Sequence, residues 1–234
     1  MANRSAIILA GGFGTRLQSV VADVPKPMAE IAGRPFLEYL LNYLIYFGVD
    51  EIVMSTGHLA HVVSEHFGSN YRTARIKYAV EESPLGTGGA IKYAMSQCSA
   101  SQVLVINGDT FFDVNLNEVF DSHLGAEITM VLRPIENPDR FGTVELDSKN
   151  RVVAFHEKRA GLELGMINAG TYLMNISVFD SFDLPQRFSI ETEFFAKHCA
   201  DLKINGFVRD GYFIDIGIPE EYKRANEEFR SFRY

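Results

Sequence analysis

Ala6-Ile7-Ile8-Leu9-Ala10-Gly11-Gly12-Phe13-Gly14-Thr15-Arg16-Leu17 decides the fold, because a strand-length apolar run breaks there directly into a glycine-rich turn. Outward from it, apolar runs alternate with segments of helical period. Phe36 to Phe47 has the pattern of an amphipathic helix, Glu51 to Ser55 of a strand and Ala60 to Phe67 of a helix. Ile76 to Val80 then reads as a strand, Gly89 to Gln97 as a helix and Val103 to Asn107 as a strand. The order β-α-β-α-β-α-β predicts a mainly parallel sheet with helices on both faces. After a helical stretch at Leu116 to His123 the texture changes. Ile128 to Leu132, Thr143 to Leu146, Val152 to His156 and Thr171 to Met174 follow at close spacing, which predicts an antiparallel or mixed extension of the sheet. Helices are expected at Ile190 to Ala200 and, after short strands around Phe207 and Phe213, at Pro219 to Phe229. Pro219 suits a first helical position, where an N–H would be unbonded anyway. No repeat or linker interrupts the pattern, so we expect an α/β doubly wound mixed sheet in one domain over residues 1–234.

Bulk properties narrow the function. Of 234 residues 47% are hydrophobic and 22% charged, the balance of a globular chain with a substantial core. The net charge of -8, with Lys and Arg scattered, disfavours nucleic acid as a partner. A small anionic substrate remains compatible if the site supplies its own cations or a metal ion. Cys98 and Cys199 lie far apart in sequence, which indicates neither a disulfide framework nor a zinc site. No run has the length of a membrane span and none has the layout of a signal peptide, so a cytoplasmic location without membrane attachment is expected.

Three glycines just past a buried strand sit where a sheet of this type presents its ligand crevice, and backbone N–H groups there can approach phosphate oxygens closely. A Walker A loop would require Gly-Lys-Ser/Thr where Gly14-Thr15-Arg16 stands, and a dinucleotide fingerprint would require glycine at Leu17. Arg16 instead offers a permanent cation with a fork that fits a phosphate. On spacing alone, a tight turn with a surface arginine fits as well. Pro25-Lys26-Pro27 follows, with prolines expected to hold the backbone near extended conformations and present Lys26 from a stiff segment.

Taken together, Leu9 to Leu17 and Pro25-Lys26-Pro27 resemble the signature of the sugar-1-phosphate nucleotidyltransferases. The resemblance runs from Ile7 to about Tyr222 and implies a Rossmann-like fold of the nucleotide-diphospho-sugar transferase type. It also implies a nucleotide-binding half to about residue 125 and a sugar-binding half from about 126. It places the nucleotide on Leu9, Ala10, Gly11, Gly12, Gly14 and Thr15, with Arg16 on the β and γ phosphates and Lys26 at the reacting phosphate.

Further motifs extend it. Glu81-Glu82-Ser83-Pro84-Leu85-Gly86-Thr87-Gly88-Gly89-Ala90 lies between a predicted strand and helix, and a flat base could pack against its bare glycine backbone. It resembles the family's base-recognition loop, which implies base contacts at Glu81, Gly86 and Thr87. Asn107-Gly108-Asp109 ends a buried strand in a carboxylate; Asp109 by itself could equally cap the following helix. Asp215 stands in a similar strand-to-turn setting, and the resemblance makes Asp109 and Asp215 the ligands of a magnesium ion. On the sugar phosphate it implies Gly142, Glu157, Lys158, Asn168 and Thr171, although Glu157-Lys158 alone reads as a solvated pair. Arg159 stands where relatives commonly carry proline, so the turn after that pair can differ.

The implied reaction joins a nucleoside triphosphate to a sugar 1-phosphate and releases pyrophosphate. Within the family, Leu9 to Leu17, Ser83 to Ala90 and the short chain look most like the heptose 1-phosphate guanylyltransferases. GTP and D-glycero-α-D-manno-heptose 1-phosphate are therefore the expected pair, for surface polysaccharide. Uridylyl-, cytidylyl- and thymidylyltransferases of hexose or amino-sugar phosphates share the scaffold, as would a silent regulatory homologue. Homo-oligomerisation stays open.

Overall fold

A computed structural model of the chain describes residues 3–12, 24–156 and 161–234. In chain order the first half carries β1 (Ser5–Leu9), a 3-10 turn at Lys26–Met28, β2 (Glu30–Ile31), β3 (Arg34–Pro35), α1 (Phe36–Tyr46), β4 (Glu51–Thr56), α2 (Ala60–Phe67), β5 (Asn70–Tyr71), β6 (Ala74–Val80), α3 (Gly86–Met95), β7 (Gln102–Asn107), β8 (Thr110–Phe112) and α4 (Leu116–Asp121). The second half carries β9 (Ile128–Glu136), β10 (Thr143–Leu146), β11 (Val152–His156), β12 (Leu164–Asn175), a π-helix at Ile190–Phe195 running into α5 (Ala196–His198), β13 (Ile204–Val208), β14 (Phe213–Asp215) and α6 (Pro219–Glu228).

Among the described residues one large sheet runs in the order β11-β10-β12-β7-β1-β4-β6-β5, with β9 on β12 and β13 on β9. β1 pairs in parallel with both β4 and β7, and β6 is parallel to β4. β12 then runs antiparallel to β7 and to β9, as the change of texture after residue 123 predicts. The strands are apolar on both sides because both faces are covered. Ile8, Ile52, Met54, Leu104 and Ile106 pack with α1 on one face, while Ile7, Val53, Val103 and Val105 pack with α3 on the other.

Several expectations shift. β8 follows Asp109 directly, and the helix beyond it has its own N-cap in Asn115, so Asp109 caps no helix. α3 opens at Gly86 rather than Gly89. β12 extends back to Leu164, because its first half pairs with β9 before its second half pairs with both β9 and β7, with an irregularity in the β9 pairing between Asn168 and Tyr172. The expected α-helix at Ile190 begins as a π-helix. Lys26 sits not in an extended segment but in a 3-10 turn, flanked by extended Pro25 (φ -56, ψ 143) and Ala29 (φ -56, ψ 132).

Candidate active site

The C-terminal ends of β1, β4, β6 and β7 lie side by side, so the residues that leave them must share one crevice, at the point where strand order reverses about β1. A cavity of about 480 Å³ opens there, lined by Leu9, Gly11 and Gly12 after β1, Ser55 on β4, Glu81 after β6, Gly86 and Thr87 on α3, and Asn107 and Asp109 after β7. Lys26, Pro27, Pro84, Ala90 and Gly217 complete the wall. Ala10 is buried behind it and fixed by its N–H to Ser55 O, 2.8 Å away. Gly14, Thr15, Arg16, Glu157 and Lys158 lie outside the described residues.

The expected base-recognition loop is braced from within. Glu81 Oε1 accepts from Ser55 Oγ at 3.1 Å, and Glu81 Oε2 accepts from the Leu85 N–H at 2.9 Å, so the carboxylate is held against the cavity wall. A Cβ on Gly11 would stand 2.8 Å from Glu81 Oε1, which accounts for glycine there. Gly88 and Gly89 have another reason than the one expected. A Cβ on Gly88 would fall 2.1 Å from the Phe188 ring, and one on Gly89 2.4 Å from Gln186 O. Their bare backbone is covered by residues 186–188, which leaves no room for a base against it; Glu81, Pro84, Gly86, Thr87 and Ala90 are the residues of this stretch that line the cavity. Thr87 Oγ1 in turn accepts from the Ile190 N–H at 3.0 Å.

At the other end the two expected carboxylates meet. β8 and β14 form an antiparallel ribbon in which Thr110 stands opposite Asp215, and Ile216 N–H donates to Asp109 O at 3.0 Å. This brings Asp109 and Asp215 to one cation. Lys26 Nζ is 2.5 Å from Asp109 Oδ2 and 3.8 Å from Asp215 Oδ1, and the lysine side chain is 15% exposed. Gly217 N–H donates to Asp215 Oδ1 at 2.8 Å, and Arg140 Nη2 lies 3.4 Å from Asp215 Oδ2. Among the described residues no group of three or more His, Cys, Asp or Glu could hold a metal ion. Two carboxylates converging on one positive charge do fit a hard divalent cation that keeps waters and takes its other ligands from substrate phosphates.

The residues expected on the sugar side are less open. Asn168 is buried; its Nδ2 donates to Tyr172 OH at 2.6 Å and Glu191 Oε1 at 2.9 Å, and its Oδ1 accepts from Gly170 N–H at 3.1 Å. Gly142 O accepts from Asn168 N–H at 3.0 Å, and Thr171 is buried opposite Ile106 on β7. None of Gly142, Asn168 and Thr171 lines the cavity. Sequence reasoning overlooked Ser55, Arg140 and Glu191. Ser55 ends a strand already recognised, but Arg140 and Glu191 stand in stretches with no pattern to mark them.

Known proteins resemble this chain along nearly its whole length. The model of the nucleotidyl transferase family matches residues 5–231. A D-glycero-alpha-D-manno-heptose 1-phosphate guanylyltransferase of Aneurinibacillus thermoaerophilus is 43% identical, over 97% of this chain and 99% of its own. One from Campylobacter jejuni is 41% identical over 93% of this chain and 96% of its own. The crystal structure of HddC from Yersinia pseudotuberculosis complexed with GMP-PN superposes with a TM-score of 0.85 at 36% identity, covering 97% of this chain and 99% of that one. No helix among the described residues is long and apolar enough to cross a membrane. A braced carboxylate at Glu81 and two converging carboxylates at Asp109 and Asp215 thus occur on a fold shared with HddC, and the chain belongs to the nucleotidyl transferase family.

Proposed function

We propose that the chain joins GTP to D-glycero-α-D-manno-heptose 1-phosphate, yielding GDP-heptose and pyrophosphate for surface polysaccharide, in the cytoplasm where nucleoside triphosphates are made. The observation that carries this is the match to a heptose 1-phosphate guanylyltransferase along 97% of the chain and 99% of the relative.

An oxygen of the sugar phosphate attacks the α-phosphorus in line; a P–O bond forms there as the bond to the β-phosphate breaks, and pyrophosphate leaves with the electron pair. The attacking phosphate is already ionised, so no general base is needed and positioning with charge stabilisation carries the rate. Glu81, held by Ser55 and Leu85, keeps lone pairs for the N1–H and N2 amino donors of guanine. Gly11 and Gly12 offer bare backbone to the phosphates, and Arg16 offsets charge on the departing pyrophosphate. Lys26 leaves the carboxylates for the reacting phosphate, while Lys158 holds the acceptor phosphate and Gly142, Glu157, Asn168 and Thr171 shape the sugar side. Magnesium held by Asp109 and Asp215 supplies, when bound, a Lewis acid that neutralises the phosphate oxygens.

The test is a matrix of GTP, UTP, CTP and dTTP against heptose 1-phosphate, mannose 1-phosphate and N-acetylglucosamine 1-phosphate, read by pyrophosphate release. GTP with the heptose phosphate should give the highest kcat/KM. A higher value for another base or for a hexose phosphate overturns the assignment and leaves the family in place.

A further inference from the structure

Ser55, Leu9 and Asn107 form one row across the sheet. Leu9 stands in register with Ser55 of β4 on one flank and with Asn107 of β7 on the other, so the three side chains share a face, and all three line the cavity. The row leads away from the expected base wall. Ser55 donates to Glu81, Leu9 is apolar, and Asn107 lies two strand spacings from Ser55, about 10 Å, close to the span of a base with its ribose. Gly108 N–H donates to Leu9 O at 2.9 Å and keeps β7 joined to β1 at this level.

On its far side Asn107 meets β12, where Thr171 pairs with Ile106 and Gly170 comes next. Gly170 has φ +69, and a Cβ there would fall 2.3 Å from Asn107 Nδ2, so the carboxamide occupies the space that any side chain at 170 would need. The pairing of β12 with β9 is irregular between Asn168 and Tyr172, the kind of break found next to active sites. Asn107 is half-buried, and its carboxamide has no hydrogen-bond partner among the described residues. A carboxamide is uncharged and carries both donors and an acceptor, which a hydroxyl matches in either sense. We propose that Asn107 sets substrate choice by hydrogen-bonding a hydroxyl where nucleotide and sugar meet, on the ribose or on the sugar phosphate. This rests on the chain being a sugar-1-phosphate nucleotidyltransferase.

The test compares wild type with Asn107→Leu, which keeps the branched shape and removes the hydrogen bonds, and with Asn107→Ala, which leaves the space open. Each is assayed with the preferred pair, with 2′-deoxy and 3′-deoxy forms of that nucleotide, and with analogues of that sugar phosphate lacking one hydroxyl at a time. Both variants should lower kcat/KM for the preferred pair by about tenfold, the scale of one hydrogen bond. One analogue should cost the wild type a similar factor and be used equally well by wild type and both variants, the mark of an interaction already lost. A deoxynucleotide in that role assigns the hydroxyl to the ribose, and a deoxy sugar assigns it to the sugar phosphate. Unchanged kcat/KM for the preferred pair, or variants that discriminate against every analogue as the wild type does, would overturn the proposal, as would a lowered melting temperature with discrimination intact. Because the assay uses whichever pair the wild type prefers, failure of the heptose assignment is read separately, from the wild-type matrix.

Discussion

Lys26 Nζ lies 2.5 Å from Asp109 Oδ2 and is the positive charge on which that carboxylate and Asp215 converge. On the proposed metal site, a divalent cation would therefore compete with this ammonium for the same two carboxylates. Lys26→Met should tighten binding of manganese, used as a probe without nucleotide, by about tenfold or more, the value of a charge-assisted hydrogen bond removed from the competition. Titration calorimetry measures this; turnover in the same variant should fall, because the reacting phosphate loses its cation.

Asp109 and Asp215 reach the site on opposite strands of one ribbon, so each can be neutralised without disturbing the other's backbone. Asp109→Asn and Asp215→Asn should each lower kcat by about a hundredfold or more, the cost of one key electrostatic contact, with melting temperatures close to wild type. Chelation with EDTA should abolish turnover, and added magnesium should restore it. Magnesium-dependent turnover at the wild-type rate in both variants would remove these residues from the metal site.

Gly89 is needed for packing rather than for nucleotide. Gly89→Ala would press a methyl against Gln186 O at 2.4 Å, and this backbone neighbour cannot rotate away. Overpacking of this kind costs about 1–3 kcal/mol, read as a lowered urea midpoint. The KM for GTP in the remaining folded enzyme should stay within about twofold.

Glu51 governs the acid limb of stability. Burial alone would raise its pKa, but Lys77 Nζ at 2.7 Å, Ser5 Oγ at 2.6 Å and the Ser99 N–H and hydroxyl, each at 2.8 Å, outweigh it and hold the carboxyl at about 2. A depressed folded pKa contributes stability in full above the unfolded value of 4.5, and that contribution is lost as pH falls toward 2. The difference corresponds to about 3 kcal/mol. Glu51→Gln should flatten the fall in urea-unfolding free energy over that range, and an equally steep fall in the variant would assign the acid limb to other groups.

The sheet is legible from sequence because both faces of β1, β4 and β7 are buried and their apolar runs are uninterrupted. β2, β3, β5 and β8 are not, since two or three residues are too few to show a period. Lys26, Asp109 and Glu81 are legible through the family resemblance, and for Asp109 and Glu81 the strand before each also fixes where the chain emerges. The roles of Gly88 and Gly89 depend on residues 186–188 folding back over them, a contact with no local trace. Arg140 and Glu191 reach their neighbours in the same non-local way, and a π-helix shares the apolar composition of the α-helix expected in its place.

The ribbon of β8 and β14 also bears on synthesis. On the ribosome, Asp109 emerges with the first half of the chain, while its companion follows only after β13. The parallel core can form from early residues, but the carboxylate pair closes a loop that spans nearly half the sequence, and such closures are slow. The pair of carboxylates is thus a late-closing contact of the fold: it depends on β14 finding β8 across that long separation, after the parallel strands have their neighbours.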